Sequence, residues 1–215
     1  MATFTRRRKP PDGMPYRRYR GCLRLDFECR CAYCLIHESD NHGPDNFEID
    51  HFRPKARFRE LERRYANLYY ACHLCNRADR KGDKWPSPDE GESGERFVDP
   101  CSEDWEDHVE FLEDGSVRPL TPAGEFSLRT IELDRVQLRI HRQKFPSEYF
   151  GRSVLAAVKR RLENLSSIVS ASAAVPAEAR SELAALEELL ARIEPRVLAA
   201  WRGKEPFPPE PICPY

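Results

Sequence analysis

Apolar positions follow two regimes along the chain. In the first half they come in short bursts between charged residues, glycines and prolines. Phe47, Ile49 and His51 alternate with Glu48, Asp50 and Phe52, which predicts a strand over 46–52 ending at the Arg53-Pro54 turn. A second strand is expected over 68–71, where Tyr69 and Tyr70 add β propensity after Asn67. The polar residues after Cys72 read as a short helix that stops at Gly82. From about Phe126 the spacing becomes helical. Ile131, Leu133, Val136 and Ile140, with Asp134 as N-cap, are followed by Val154, Leu155, Val158, Leu162, Leu165 and Val169 at intervals of three and four. A further helix is expected from Pro176 through Leu183, Leu186, Leu190 and Ile193, kinked or ended by Pro195. A Ser/Ala-rich turn at 170–175 would join the last two as a hairpin whose leucines form an internal core.

These patterns predict an α+β protein with a ββα core and a mainly α-helical C-terminal region. Four segments follow: a basic N-terminal arm over 1–28, extended or partly disordered up to residue 20; a core over 29–84; an acidic, loop-rich linker over 85–125 with one or two short strands; and a helical region over 126–215 with a proline-rich, extended tail.

Cysteine placement adds chemistry. Cys31 and Cys34, then Cys72 and Cys75, are two Cys-x2-Cys knuckles that bracket Asp50-His51. Two such pairs supply the four thiolates of a closed, structural zinc site with no vacant position. No apolar segment follows the basic start as in a signal peptide, and no apolar run is long enough to span a bilayer, so a cytoplasmic location and no membrane partner are expected. In a reducing compartment the eight cysteines argue for metal rather than disulfides. The scattered Cys22, Cys29, Cys101 and Cys213 read as buried or idle thiols, with Cys29 close enough to Cys31 to compete for zinc.

The net charge of −1 hides strong segregation. Residues 1–30 carry nine cations against three carboxylates, and 53–64 carry six against two. Both stretches flank the knuckles and suit a polyanion such as DNA, with Arg53, Lys55, Arg77 and Lys81 as candidate phosphate contacts. From Asp89 to Asp114 the balance reverses, with Arg96 alone among twelve carboxylates, as on a solvated face or one turned to a protein partner.

Between the knuckles the residues suit phosphodiester hydrolysis. His51 can take a proton from water, and Asp50 with the side-chain carbonyl of Asn76 can hold a divalent ion through oxygen. Neighbours in a strand point to opposite faces, so Asp50 and His51 share a site only if the strand end re-aims one of them. Asn67 can lock the intervening loop through its amide. Alone, each would be an ordinary core, cap or turn residue; together they point to a site.

The string Glu48-Ile-Asp-His-Phe-Arg-Pro-Lys55, then Asn67-Leu-Tyr-Tyr-Ala-Cys-His-Leu-Cys-Asn76 and Lys81-Gly82, resembles the HNH endonucleases with a ββα-metal site. The resemblance implies His51 as general base, Asn67 as the central asparagine and Asn76 in the third position, where it replaces the namesake histidine. It implies Asp50 and Asn76 holding Mg2+ or Mn2+, with structural Zn2+ on the four knuckle cysteines. His51-Phe-Arg-Pro-Lys, Phe97-Val-Asp-Pro100 and Val109-Glu-Phe-Leu-Glu-Asp-Gly-Ser-Val117 look like the subgroup associated with retrons and Septu-type antiphage systems, which implies an ATPase partner. The competing class is a non-catalytic zinc-ribbon nucleic-acid-binding or adaptor protein.

Overall fold

Strands β1, Phe47–His51, and β2, Leu68–Cys72, pair antiparallel in a register running from Phe47↔Cys72 to His51↔Leu68. Aromatic packing fixes this register, since Phe47 stacks at 4.7 Å on Tyr70, the diagonal neighbour across the pair. A computed structural model gives this arrangement and describes residues 2–87, 93–171 and 176–215. The chain forms two compact units. The first comprises Met1–Val109, Pro119–Arg135 and Lys204–Tyr215; the second comprises Glu110–Arg118 and Val136–Gly203. Small antiparallel sheets beside helices make the protein α+β, as the patterning predicts.

In the first unit, helix α1, Arg20–Asp26, packs on β2, and the single-turn helix α2, His73–Asn76, follows β2 directly. Helix α3, Pro122–Ile131, starts at Thr121, whose side chain accepts from the Gly124 N–H as an N-cap. Buried aromatics dominate the core, including Tyr19, Phe27, Tyr69, Tyr70, Phe97 and Trp105. Trp105 satisfies its indole N–H on the Ala32 carbonyl at 3.0 Å.

The N-terminal stretch is packed rather than loose. Phe4 is buried, and Arg6 lies over the rings of Phe27, Tyr65 and Tyr69 while donating to the Tyr65 and Leu68 carbonyls. Asp26 accepts from the Arg7 and Arg8 main chain and from Tyr65 Oη. A guanidinium inside an aromatic cage gives this polar segment the burial that its composition does not advertise. The tail is likewise docked on the first unit. Cys22 and Cys213 form a disulfide, correcting the expectation of idle thiols; 191 residues separate them, so spacing gave no hint. Arg24 and the fully buried Glu38 pair with each other and together take the Phe207 and Pro209 carbonyls and the Phe207 N–H. A Cβ on Gly21 would lie 1.9 Å from the Ile212 carbonyl oxygen, so only glycine admits the tail here.

The second unit contains helices α4, Val136–Lys144, α5, Phe150–Ala171, and α6, Ala177–Arg202, with a short strand segment on either side of Gly115. Helices α5 and α6 pack together and bury Leu155, Val158, Leu165, Val197 and Trp201, with Lys159 and Glu194 bridging at 2.5 Å. Helix α6 runs through Pro195 instead of stopping there; it gives up one main-chain hydrogen bond and still buries Val197 and Trp201 beyond it. Val136 and Ile140, part of the helical spacing, are exposed. The expected turn at 170–175 lies mostly outside the described residues, as do residues 89–92 of the acidic stretch. Among the described residues no helix is long and apolar enough to cross a membrane.

Candidate active site

The knuckles converge because the hairpin brings their ends together. Cys31 and Cys34 lie in the turn that Ala32 fastens to β2 through its N–H on the Tyr70 carbonyl at 2.8 Å. Cys72 ends β2 and Cys75 sits in α2. All four thiols are buried, and their sulfurs lie within 4.8 Å of one another. Cys34 Sγ and Cys72 Sγ are 3.7 Å apart, against an edge of about 3.8 Å for a sulfur tetrahedron with metal bonds of about 2.3 Å. The donor set therefore fits zinc. Arg135 brings Nη2 to 3.4 Å from Cys75 Sγ, which places a cation where zinc with four thiolates would leave net negative charge. Cys29 is a buried free thiol outside the cluster.

Next to the cluster, Asp50, His51 and Asn76 line one pocket of about 280 Å3 with Tyr16, Ile49, Lys55, Ala78, Gly82 and Asp83. His51 is the last residue of β1. Its Nε2 lies 3.0 Å from the Glu62 carbonyl oxygen. A carbonyl only accepts, so Nε2 carries the hydrogen and Nδ1 keeps its lone pair. Burial is the main cause holding this imidazole below the ordinary histidine pKa; the Glu62 carbonyl and Asp50 oppose it. Tyr16 packs edge-on against the ring with centroids 5.2 Å apart.

Asp50 Oδ2 accepts from Tyr33 Oη and lies 3.6 Å from Lys81 Nζ. Burial, then the Asp50 charge, push the Tyr33 phenol well above its usual pKa, so it stays protonated and donates. Asn76 Nδ2 donates to Glu48 Oε2 at 2.7 Å, which turns its carbonyl oxygen away from Glu48. Glu48 is in turn held by His73 Nδ1 at 2.8 Å. Asn67 stands behind the pocket. Its Oδ1 accepts from the Arg53 N–H at 2.9 Å, and its Nδ2 donates to the carbonyls of Arg53 and Leu61 at 3.0 and 3.4 Å. One amide thus clamps both ends of the loop that carries Glu62.

Residues 31–82 match the HNH endonuclease family model. The matched span contains all four clustered cysteines together with Asp50, His51, Asn67 and Asn76. No curated protein matches the chain.

Within the HNH segment the four candidate phosphate contacts have different fates. Lys55 is exposed and lines the pocket. Arg53 is exposed with its guanidinium 5.7 Å from the Trp85 ring centroid, and Arg77 is held by Asp79 through two bonds of 2.9 and 3.0 Å. Lys81 is fully buried, with its ammonium over the Phe97 ring and beside Asp50, so it neutralises a carboxylate instead of facing solvent. The polar helix expected up to Gly82 is one turn only. Arg77 turns extended at ψ 152°, and Lys81 N–H folds back onto the Cys75 carbonyl at 3.1 Å. Tyr33 and the Glu62 carbonyl join the site without any expectation from the sequence, and Glu48 joins it with no role assigned in advance. Glu48 had a signal, since it shares a strand face with Asp50 two residues on; Tyr33 and the Glu62 carbonyl had none.

Proposed function

We propose that the protein is a metal-dependent endonuclease that hydrolyses phosphodiester bonds in DNA. The observation that carries this reading is the convergence of Asp50, His51 and Asn76 on one pocket inside the HNH segment. In this mechanism His51 Nδ1 takes a proton from water, the resulting hydroxide attacks phosphorus, and the bond to the leaving oxygen breaks. The Nε2–H bond to Glu62 holds the ring in the required tautomer. Asp50 and the Asn76 carbonyl supply hard oxygen donors suited to Mg2+ or Mn2+; an ion held there would offset charge growing on the phosphate and leaving oxygen. Tyr33 and Lys81 orient Asp50, Asn67 positions the loop, and Lys55 meets the phosphate from the rim. The phrases at 51–55, 97–100 and 109–117 support a role as the nuclease of an antiphage system beside an ATPase, which copurification and a cutting assay with and without nucleotide would test.

The decisive comparison is supercoiled plasmid with Mg2+ or Mn2+, incubated with wild type and with His51→Ala matched for zinc content and DNA affinity. Wild type is expected to nick or linearise the plasmid at least about a hundredfold faster. Equal rates, or no cutting by wild type across DNA forms, would leave only the zinc-braced binding role.

A further inference from the structure

Asp83 lines the catalytic pocket and also a larger cleft of about 790 Å3 in the same unit. Among the described residues, Arg57, Lys84, Trp85, Phe126, Arg129 and Thr130 line it too. Arg57, Lys84 and Arg129 are exposed at the rim. Arg57 donates to the Trp85 carbonyl at 3.2 Å and Lys84 to the Asp79 carbonyl at 2.5 Å, so backbone oxygens hold both without cancelling their charge. Arg129 is paired with Glu95 at 3.0 Å. Among the described residues Asp83 is the carboxylate of the wall and Glu95 pairs one of its three cations, which leaves a cationic balance.

Trp85 supplies the other half of the chemistry. Its half-buried indole is set edge to face by Phe52 and by Phe58, both with centroids 5.6 Å away, and carries the Arg53 guanidinium 5.7 Å from its centroid. A ring fixed this way loses little freedom when a flat partner stacks on it. Cations at the rim and an aromatic wall are the combination that holds a strand with accessible bases: phosphates meet the guanidiniums and ammonium, and a base meets the ring. A duplex offers its backbone to such a cleft but keeps its base faces stacked.

We propose that this cleft binds the single-stranded segment flanking the phosphate in the catalytic pocket, with Arg57, Lys84 and Arg129 on successive phosphates and Trp85 under a base. The proposal rests on the nuclease reading of the adjoining pocket, and Asp83, common to both walls, marks where the strand passes between them. It makes a single strand, or one opened beside the cut, the preferred substrate.

The test measures binding without cutting. Fluorescence anisotropy with no added divalent ion would follow a labelled single-stranded DNA of about 16 nucleotides and its duplex across a salt series. An Arg57→Gln, Lys84→Gln, Arg129→Gln triple variant, checked for wild-type zinc content and melting temperature, is expected to bind the single strand about tenfold or more weakly, with a salt slope smaller by about 2, while duplex affinity falls less than about threefold. Unchanged single-strand affinity and slope would overturn the cleft, and an equal loss on duplex would overturn its single-strand preference. Wild-type tryptophan fluorescence gives a second readout: of the three tryptophans, Trp105 and Trp201 are buried, so quenching by the oligonucleotide reports on Trp85, and its absence would refute stacking. The two readings fail separately. A wild type that cuts plasmid while the triple variant binds normally removes the cleft alone; a wild type that cuts nothing while the variant loses single-strand binding removes the nuclease alone.

Discussion

In the proposed reaction His51 serves as the base only while its imidazole is neutral. Burial lowers its pKa, which keeps the ring neutral at pH values where a free histidine is already partly protonated. The sign follows directly: activity is present above the lowered pKa and lost as pH falls through it. The acid limb of kcat/KM is therefore expected below about 6.5, the ordinary histidine value. A limb in the pH profile centred at or above that value would contradict the assignment. The same shift opposes folding on acidification, because the unfolded chain binds this proton first. The types and spacing of Asp50, His51, Asn67 and Asn76 were legible in the sequence because a reactive site demands particular side chains. Glu62 was not, since it contributes a main-chain carbonyl that any residue would supply. Lys81 misled because a lysine in a basic, polar stretch normally faces water, whereas here Asp50 and Phe97, far apart in sequence, offer its ammonium a buried place.

Strand and helix termini decide how the four-cysteine cluster is held. The alternation over 46–52 and the tyrosines of 68–71 gave β1 and β2 to within a residue or so; β2 is buried at all five positions, so its apolar and aromatic run marked it rather than a two-residue period. The length of α2 was not legible: its end is set by Lys81 turning inward, a tertiary demand on a sequence that would otherwise continue helical. Nor did local pattern reveal that the chain just beyond α3 serves the cluster. Glu132 adopts a left-handed C-cap at φ 55°, and the chain then carries Arg135 to Cys75. Arg135→Ala is expected to keep the fold but release zinc to a chromogenic chelator about tenfold faster, because the thiolates lose a neutralising partner. An unchanged release rate would show that the guanidinium only packs there.

At the scale of the molecule, the first unit is assembled from three separated stretches and the second lies between them in sequence. Periodicity announced the helices of the second unit, but it could not show that residues 204–215 belong with α1, because that docking uses main-chain groups, a glycine gap at Gly21 and one distant cysteine. Deleting 204–215 leaves the buried Arg24–Glu38 pair without its tail partners. The melting temperature is expected to fall by roughly 10 °C, read by calorimetry. Cys213→Ser, which removes the disulfide but keeps those hydrogen bonds, should fall by less. If the truncated protein melts with wild type, the tail is decoration.

The docked tail also imposes an order in time. Ribosomes complete the HNH segment and then the whole of α4, α5 and α6 before they make residues 204–215, so a growing chain carries Arg24 and Glu38 for most of its synthesis with their final partners still unwritten. The hairpin can form early, but its unit is finished late. A protein built this way reaches its mature surface only after the helices that separate its parts have been translated.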